Sequence, residues 1–350
     1  MSLNKRLFTG GPLPGATLEN AFQTVIWTGN GSTQDITGVG FQPDLVWIKH
    51  RDGTNPHGLW DSTRGAGKLL VANTTAVETG NSGNLLGSFD SDGFQVNRNY
   101  LVHTAHDNTN GNGNPLYVGW CWRANGGTTS TNNDGNITTT VQVNEDAGFS
   151  IIKTADSDFN QSRTFGHGLG NVGNGIPDLF IIKPLDLASE WRVYTSANSY
   201  AGFMILNSDA AQYNVTTNVT SSTFNTQWTP TGASYESEWI MYAFKAIPGF
   251  SKFGTYTGNA TAGTNITVGF QPGWVLTKRT DTTDNWRMYD SVRQDSQPFD
   301  MPLYPNITEA ETDNTTGVSG VTSTTFTLGN GNLSNANSAT YIYMAFRLAP

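Results

Sequence analysis

The sequence predicts an all-β protein, built as tandem β-sandwich repeats behind an extended N-terminal arm. Three observations carry that reading: a phrase written three times in fixed order, an aromatic and aliphatic run closing each copy, and a scarcity of helix-building residues. The first copy reads Phe41-Gln42-Pro43-Asp44-Leu45-Val46-Trp47-Ile48-Lys49, then Leu59-Trp60-Asp61-Ser62-Thr63-Arg64. The last reads Phe270-Gln271-Pro272-Gly273-Trp274-Val275-Leu276-Thr277-Lys278, then Met288-Tyr289-Asp290-Ser291-Val292-Arg293. The middle copy is worn: Ile176-Pro177-Asp178-Leu179-Phe180-Ile181-Ile182-Lys183, then Val193-Tyr194-Thr195-Ser196. Fixed-order self-similarity means a repeated structural unit. A motif present in every unit is explained more simply by folding than by one active site, which removes the most prominent polar residues from the catalytic candidates.

In chain order, residues 1–21 form the arm, an extended segment punctuated by Gly10, Gly11, Pro12, Pro14 and Gly15. Such arms order only when something holds them. Lys5, Arg6, Leu7 and Phe8 read either as an assembly anchor that plugs a partner's pocket or as a segment lying on its own domain. Thr17-Leu18-Glu19-Asn20-Ala21-Phe22 is the one stretch that could start a helix. Repeat one covers 22–124 and closes with Leu116-Tyr117-Val118-Gly119-Trp120-Cys121-Trp122. Short apolar runs bounded by Gly and Asn read as buried strands. Asp92-Gly93, between Phe89 and Phe94, suits a tight hairpin turn. Residues 125–148 are a linker whose second half, Ile137 to Val143, has strand character and is expected to bridge units one and two as an edge strand. Repeat two, 149–246, closes with Glu238-Trp239-Ile240-Met241-Tyr242-Ala243-Phe244. Ile247-Pro248-Gly249 joins it tightly to repeat three, 250–348, which closes with Thr340-Tyr341-Ile342-Tyr343-Met344-Ala345-Phe346. Each unit is about the size of one β-sandwich.

Charged residues make up 13% of the 350, about half the roughly 25% usual in soluble proteins. Net charge is −9, and no block of Lys or Arg offers a phosphate-tracking stripe, so nucleic acid is not an expected partner. No run of about 20 apolar residues exists to insert in a membrane. The residues after Lys5 and Arg6 break at Gly10-Gly11-Pro12, so no signal peptide is expected. Cys121 is the single cysteine, which reads as a small buried hydrophobe.

Each candidate for chemistry has a structural alternative. Asp44, Asp178 and Gly273 share a slot after proline, and the glycine argues against a required carboxylate. Lys49, Lys183 and Lys278 share another, and Arg64 and Arg293 a third. A Lys–Asp or Arg–Asp pair across strands, involving Asp61 and Asp290, would fix register within a unit, with ligand binding as the alternative. Trp60, Tyr194 and Tyr289 align with each other, as do Trp47, Ile181 and Leu276. On a sandwich such aromatics are either core or a platform for a sugar ring, and Trp60, Tyr194 and Tyr289 are the candidate glycan platform. Asp90-Ser91-Asp92-Gly93 opens like a calcium loop but lacks the distal Glu. His103, His106 and Asp107 do not form a well-held zinc set. No nucleophile elbow or phosphate loop occurs, and the carboxylates are too dispersed to nominate a glycosidase pair. No catalytic residue, metal or cofactor is expected.

Thr28-Gly29-Asn30-Gly31, the run from Gly38 to Lys49, Leu59 to Ala66, Phe89 to Phe94 and Val118 to Trp122 resemble a repeat domain of virion proteins from tailed bacteriophages, marine ones especially. The start, Asn4 to Gly11, is similar too. The likeness is close in the first unit, moderate in the third and weakest in the second, which lacks the Phe-Gln before Pro177 and the Arg after Ser196. It implies lectin-like sandwiches of the concanavalin or jelly-roll type and a non-enzymatic structural role in a tail, fibre or capsid decoration. The implied partners are other virion proteins and further copies of the chain, with a trimer as the first expectation. The implied location is the virion, after synthesis in the host cytoplasm. The alternative is a glycan-binding module for attachment to the host surface.

Overall fold

The computed structural model describes residues 21–80, 85–98, 101–102, 114–154, 157–158, 163–215, 217–225, 236–293, 299–314 and 316–349. Residues 1–20, including Lys5, Arg6, Leu7 and Phe8, lie outside that set, as do His103, His106 and Asp107. The described chain is all β, apart from a short α-helix at Asn332–Asn335 and one 3-10 turn at Ser196–Asn198.

Each unit has one large antiparallel sheet. In the first, the strand order is Phe22–Thr28, Leu116–Trp122, Leu45–His50, Gly58–Asp61, Lys68–Val71 and Thr79–Gly80. In the third it is Ser251–Thr257, Thr340–Phe346, Trp274–Arg279 and Arg287–Asp290. The second places Phe149–Thr154, Trp239–Phe244, Leu179–Pro184 and Arg192–Thr195 in the same order and extends the sheet at both ends. The closing run is therefore always flanked by the opening strand and the strand of the repeated phrase. A smaller sheet covers one face in every unit: Gln34–Thr37, Gly93–Val96 and Leu86–Asp90 in the first, Thr264–Thr267, Thr325–Leu328 and Val318–Val321 in the third. Its counterpart in the second is Phe165–Gly166, Thr223–Asn225 and Asn218–Val219.

The large sheets are buried on both faces, and period-two alternation decides which core each side chain enters. Along Leu45–His50, Val46 and Ile48 join the first unit's own core, under its small sheet. Leu45 and Trp47 point the other way, into a cluster shared by all three units. Tyr341, Tyr343 and Ala345 fill the third unit's core, while Ile342, Met344 and Phe346 enter the shared cluster. Trp239, Met241 and Ala243 face the second unit's core, while Ile240, Tyr242 and Phe244 face the shared one. A strand with two covered faces needs continuous hydrophobicity, which is what the closing runs have.

The shared cluster lies on a pseudo-threefold axis. The equivalent residues Trp122, Phe244 and Phe346 close at its centre, with ring centroids 6.4, 5.9 and 6.0 Å apart. Both ends of the described chain meet there: Phe22 stacks on Phe346 at 5.2 Å, and the Ala349 amide donates to the Phe22 carbonyl at 3.0 Å.

Three local expectations change. Of the stretch that could start a helix, residues 17–20 lie outside the described set, and Phe22 opens a strand. The first-unit hairpin turns on Ser91-Asp92, because Asp90 pairs with Gly93; Gly93 is required where a Cβ would sit 1.9 Å from the Ile36 carbonyl oxygen. The linker strand Thr139–Asn144 is not an edge, since Ser130–Asn132 pairs outside it and Phe149–Thr154 inside. It does bridge the units: the Gln142 amide donates to Ser62 Oγ at 2.9 Å and Thr63 Oγ1 at 2.7 Å.

Candidate functional site

The repeated polar residues converge on the junctions between units. In the first unit the strand Gly58–Asp61 ends in a tight turn, and Asp61 accepts the Arg64 amide at 2.9 Å and its Nε at 2.5 Å. Arg64 Nη1 continues to Glu78 at 3.0 Å. The third unit repeats the set: Asp290 accepts Arg293 Nε at 2.6 Å, and Arg293 Nη1 reaches Glu311 at 2.9 Å. Asp61 and Asp290 are fully buried. Burial opposes the charge on Arg64 and Arg293, but the adjacent carboxylates outweigh it, and both guanidinium pKa values end higher.

The neighbouring unit supplies one more donor to each carboxylate. Tyr242, from the closing strand of unit two, donates its hydroxyl to Asp61 Oδ2 at 2.7 Å. Trp120, from the closing strand of unit one, donates Nε1 to Asp290 Oδ2 at 2.9 Å. Burial, then the Asp61 charge, pushes the Tyr242 phenol well up, so it remains a donor. Trp120 and Tyr242 occupy the same slot, whose third occupant is Met344. Methionine has no hydrogen to donate. By cyclic correspondence Met344 belongs with unit two's turn, and there every charge of the set is gone. Thr195 stands for the aspartate, Asn198 for the arginine and Gln212 for the glutamate. Asn198 Nδ2 donates to Gln212 Oε1 at 2.9 Å, in place of the Arg–Glu pair. Thr195 Oγ1 accepts the Ala197 amide at 3.1 Å, in place of the aspartate.

A ring of backbone bonds closes around the axis. The Glu78 amide donates to Leu185 of unit two at 2.6 Å, Gln212 to Thr280 of unit three at 3.0 Å, and Glu311 to Arg51 of unit one at 2.7 Å. Two tryptophans at one repeat position reinforce it: Trp191 Nε1 reaches the Val71 carbonyl at 3.0 Å, and Trp286 Nε1 the Ile205 carbonyl at 2.8 Å. His57 holds that position in unit one. Its fully buried ring faces the Tyr304 carbonyl, without a hydrogen bond of standard geometry at Nε2. The backbone amides of His57, Trp191 and Trp286 donate to Asn73, Asn207 and Asn306 at 3.0, 2.8 and 3.1 Å.

The lysines do not pair with Asp61 or Asp290. Lys49 Nζ caps the His50 and Gly53 carbonyls at 2.6 and 2.7 Å. Lys183 reaches Thr75 of unit one at 3.3 Å, and Lys278 reaches Asp209 of unit two at 3.1 Å. Burial lowers their pKa values, Lys49 to about 7 and Lys183 and Lys278 to about 8. The slot after proline ties the chain leaving the closing strand. Asp44 accepts the amides of Ala124, Gly126 and Gly127 at 2.7–2.9 Å, and Asp178 accepts that of Ala246 at 2.8 Å. At Gly273 a Cβ would meet Leu348 at 2.1 Å, so leucine fills the place of the carboxylate.

Trp60, Tyr194 and Tyr289 offer no glycan platform. They are 0–2% exposed and lie in the three separate unit cores, because they sit on the faces under the small sheets. Asp92 is engaged with the amides of Gly38 and Gly40 at 3.2 and 2.6 Å. Cys121 is buried, and burial raises its thiol pKa. The junction residues that sequence reasoning missed are Glu78, Gln212 and Glu311, with Asn73, Asn207 and Asn306. A weak signal existed. The asparagines follow the Asp or Thr of the turn by twelve, twelve and sixteen residues, and each lies five before the Glu or Gln.

A family model described as a domain of unknown function (DUF7483) matches residues 19–350. No curated protein and no solved structure matches the chain.

Proposed function

The chain belongs to the DUF7483 family, and on that premise we propose that it is a non-enzymatic structural component of a bacteriophage virion, in the tail, a fibre or a capsid decoration. One observation supports the reading above others: each unit gives a backbone bond to the next at one repeat position, Glu78 to Leu185, Gln212 to Thr280 and Glu311 to Arg51, so the repeat builds one body. The likeness of its phrases to phage virion repeats points the same way. In this reading the units are lectin-like sandwiches and the N-terminal arm is the anchor. Residues 22 and 349 are joined by a backbone bond, so the arm would leave the body beside its C-terminal segment, which suits attachment at that place. Homo-trimers would bring three such bodies to one virion site. The test is mass spectrometry and gold labelling of purified particles of the phage that encodes the chain. Repeated copies at one morphological position are expected; recovery only in the unassembled fraction would count against the proposal.

The second reading, a glycan-binding module for host attachment, is favoured by a polar surface groove on unit two that the junctions do not use. Its test is binding of the intact protein to an array of printed oligosaccharides.

A further inference from the structure

The linker hairpin belongs to unit two alone. Ser130–Asn132 and Thr139–Asn144 extend that sheet beyond the opening strand, while the opening strands of units one and three end theirs. Ile137, between the two hairpin strands, bridges across to Phe165 in the small sheet. The hairpin thereby spans both layers and walls a groove of about 630 Å³ against the loops at 168–171 and 221–222. That volume is within the range of about 300–1,000 Å³ typical of small-ligand sites.

We infer that this groove binds a neutral oligosaccharide, an inference that rests on the glycan reading above and gives it a place. The lining carries amides, hydroxyls and two carboxylates, from Asn132, Asp134, Glu145, Asn171 and Ser221, and no lysine or arginine. Such a set donates to and accepts from sugar hydroxyls while repelling phosphate, sulfate and carboxylate groups. Val143 adds an apolar strip for the C–H face of a ring. Two contacts hold the polar groups in place before any ligand arrives: Asn171 Nδ2 donates to Glu145 Oε1 at 2.8 Å, and Asn132 Oδ1 accepts the Asp134 amide at 2.8 Å. Pre-organisation of this kind lowers the ordering cost of binding. Gly168, at φ +76°, presses its backbone where a Cβ would come within 2.6 Å of Val143, so that wall carries no side chain. Gln142 ties the hairpin to unit one, but that bridge uses none of the groove-lining side chains, and units one and three close the ring without such a hairpin.

The test uses the intact protein, first on a printed array of neutral and acidic oligosaccharides, then by titration calorimetry with the strongest neutral hit. Ser221→Trp should fill the groove, and the double change Asp134→Ala with Glu145→Ala removes two exposed acceptors at little risk to folding. Each should weaken binding at least 10-fold with an unchanged melting temperature. Tyr213→Ala, an exposed aromatic at the opposite edge of the same sheet, should bind as wild type. Equal binding by wild type and both groove variants would overturn the site and leave the glycan reading standing. A preference for acidic glycans would overturn the ligand class, and an array with no hit would remove both.

Discussion

The junctions made by Asp61 and Asp290 are charged and the one made by Thr195 is neutral, yet all three close the same backbone ring. The difference shows that the junction varies as a set. A buried Asp–Arg–Glu triad holds its charges only while each is paired, because an unpaired buried charge costs several kcal/mol. Tyr242 and Trp120 complete the carboxylates of the two charged sets. Where the corresponding neighbour is Met344, the aspartate, arginine and glutamate have all given way to Thr195, Asn198 and Gln212. A shorter neutral pair closes at 2.9 Å without a charge to neutralise. The worn middle copy thus closes the same ring with a neutral set.

The comparison breaks most visibly if one member of a charged set is removed. Asp290→Ala leaves Arg293 with Glu311 as its one carboxylate and the Trp120 indole without its acceptor, and is expected to cost about 3–5 kcal/mol, read from urea unfolding. Thr195→Ala, a neutral cap, should cost only about 0.5–2 kcal/mol; equal losses would erase the distinction. Met344→Tyr places a hydroxyl opposite a junction with no carboxylate and should cost about 1–3 kcal/mol. Adding Thr195→Asp, Asn198→Arg and Gln212→Glu should restore much of that loss, and no recovery would show that the three sites do not couple. The reverse transplant at the first junction combines Tyr242→Met, Asp61→Thr, Arg64→Asn and Glu78→Gln. It should cost less than the roughly 3–5 kcal/mol of Asp290→Ala, because it leaves no buried charge unpaired although Asn and Met fill less volume than Arg and Tyr.

The smallest expected effect concerns pH. Burial lowers the pKa of Lys49 to about 7 and those of Lys183 and Lys278 to about 8, whereas an unfolded lysine titrates near 10.4. From about pH 7 upward the unfolded chain therefore binds more protons than the folded one, and the lysine contribution to stability rises with pH. Urea midpoints should increase between pH 7 and about 9.5, and Lys49→Met should flatten the lower part of that rise. A fall over this window in wild type would contradict the assignment.

Much of the fold was legible because strands announce themselves by period and by repetition. The closing run at Trp239–Phe244 reads as buried from its composition alone, and three copies in order give three units. Its unbroken hydrophobicity also implies two covered faces, but composition does not say what covers each. Tyr242 and Met241 are both apolar enough for any core, and only the fold assigns one to the axis and the other to the small sheet. The sequence predicts a cation partner for Asp61 across strands, but Arg64 meets it within one turn, three residues on; the further partner Tyr242 lies in another unit, 181 residues away. Glu78 and Glu311 were hidden because Gln212 breaks the charge pattern between them and the third spacing is longer. The glycan platform failed for a related reason, since alternation places Trp60, Tyr194 and Tyr289 on one common face but leaves open whether that face meets water.

A double-mutant cycle across the first junction, with Asp61→Ala, Tyr242→Phe and the pair together, decides whether the repeated turn joins units. A coupling of about 1.5–3 kcal/mol is predicted for this hydrogen bond to a buried charge, against no more than about 0.5 kcal/mol for Thr195→Ala with Met344→Leu. Additive losses at Asp61 and Tyr242 would mean that the repeated turn stabilises its own unit only, and the reading of the phrase as a joint between units would fall.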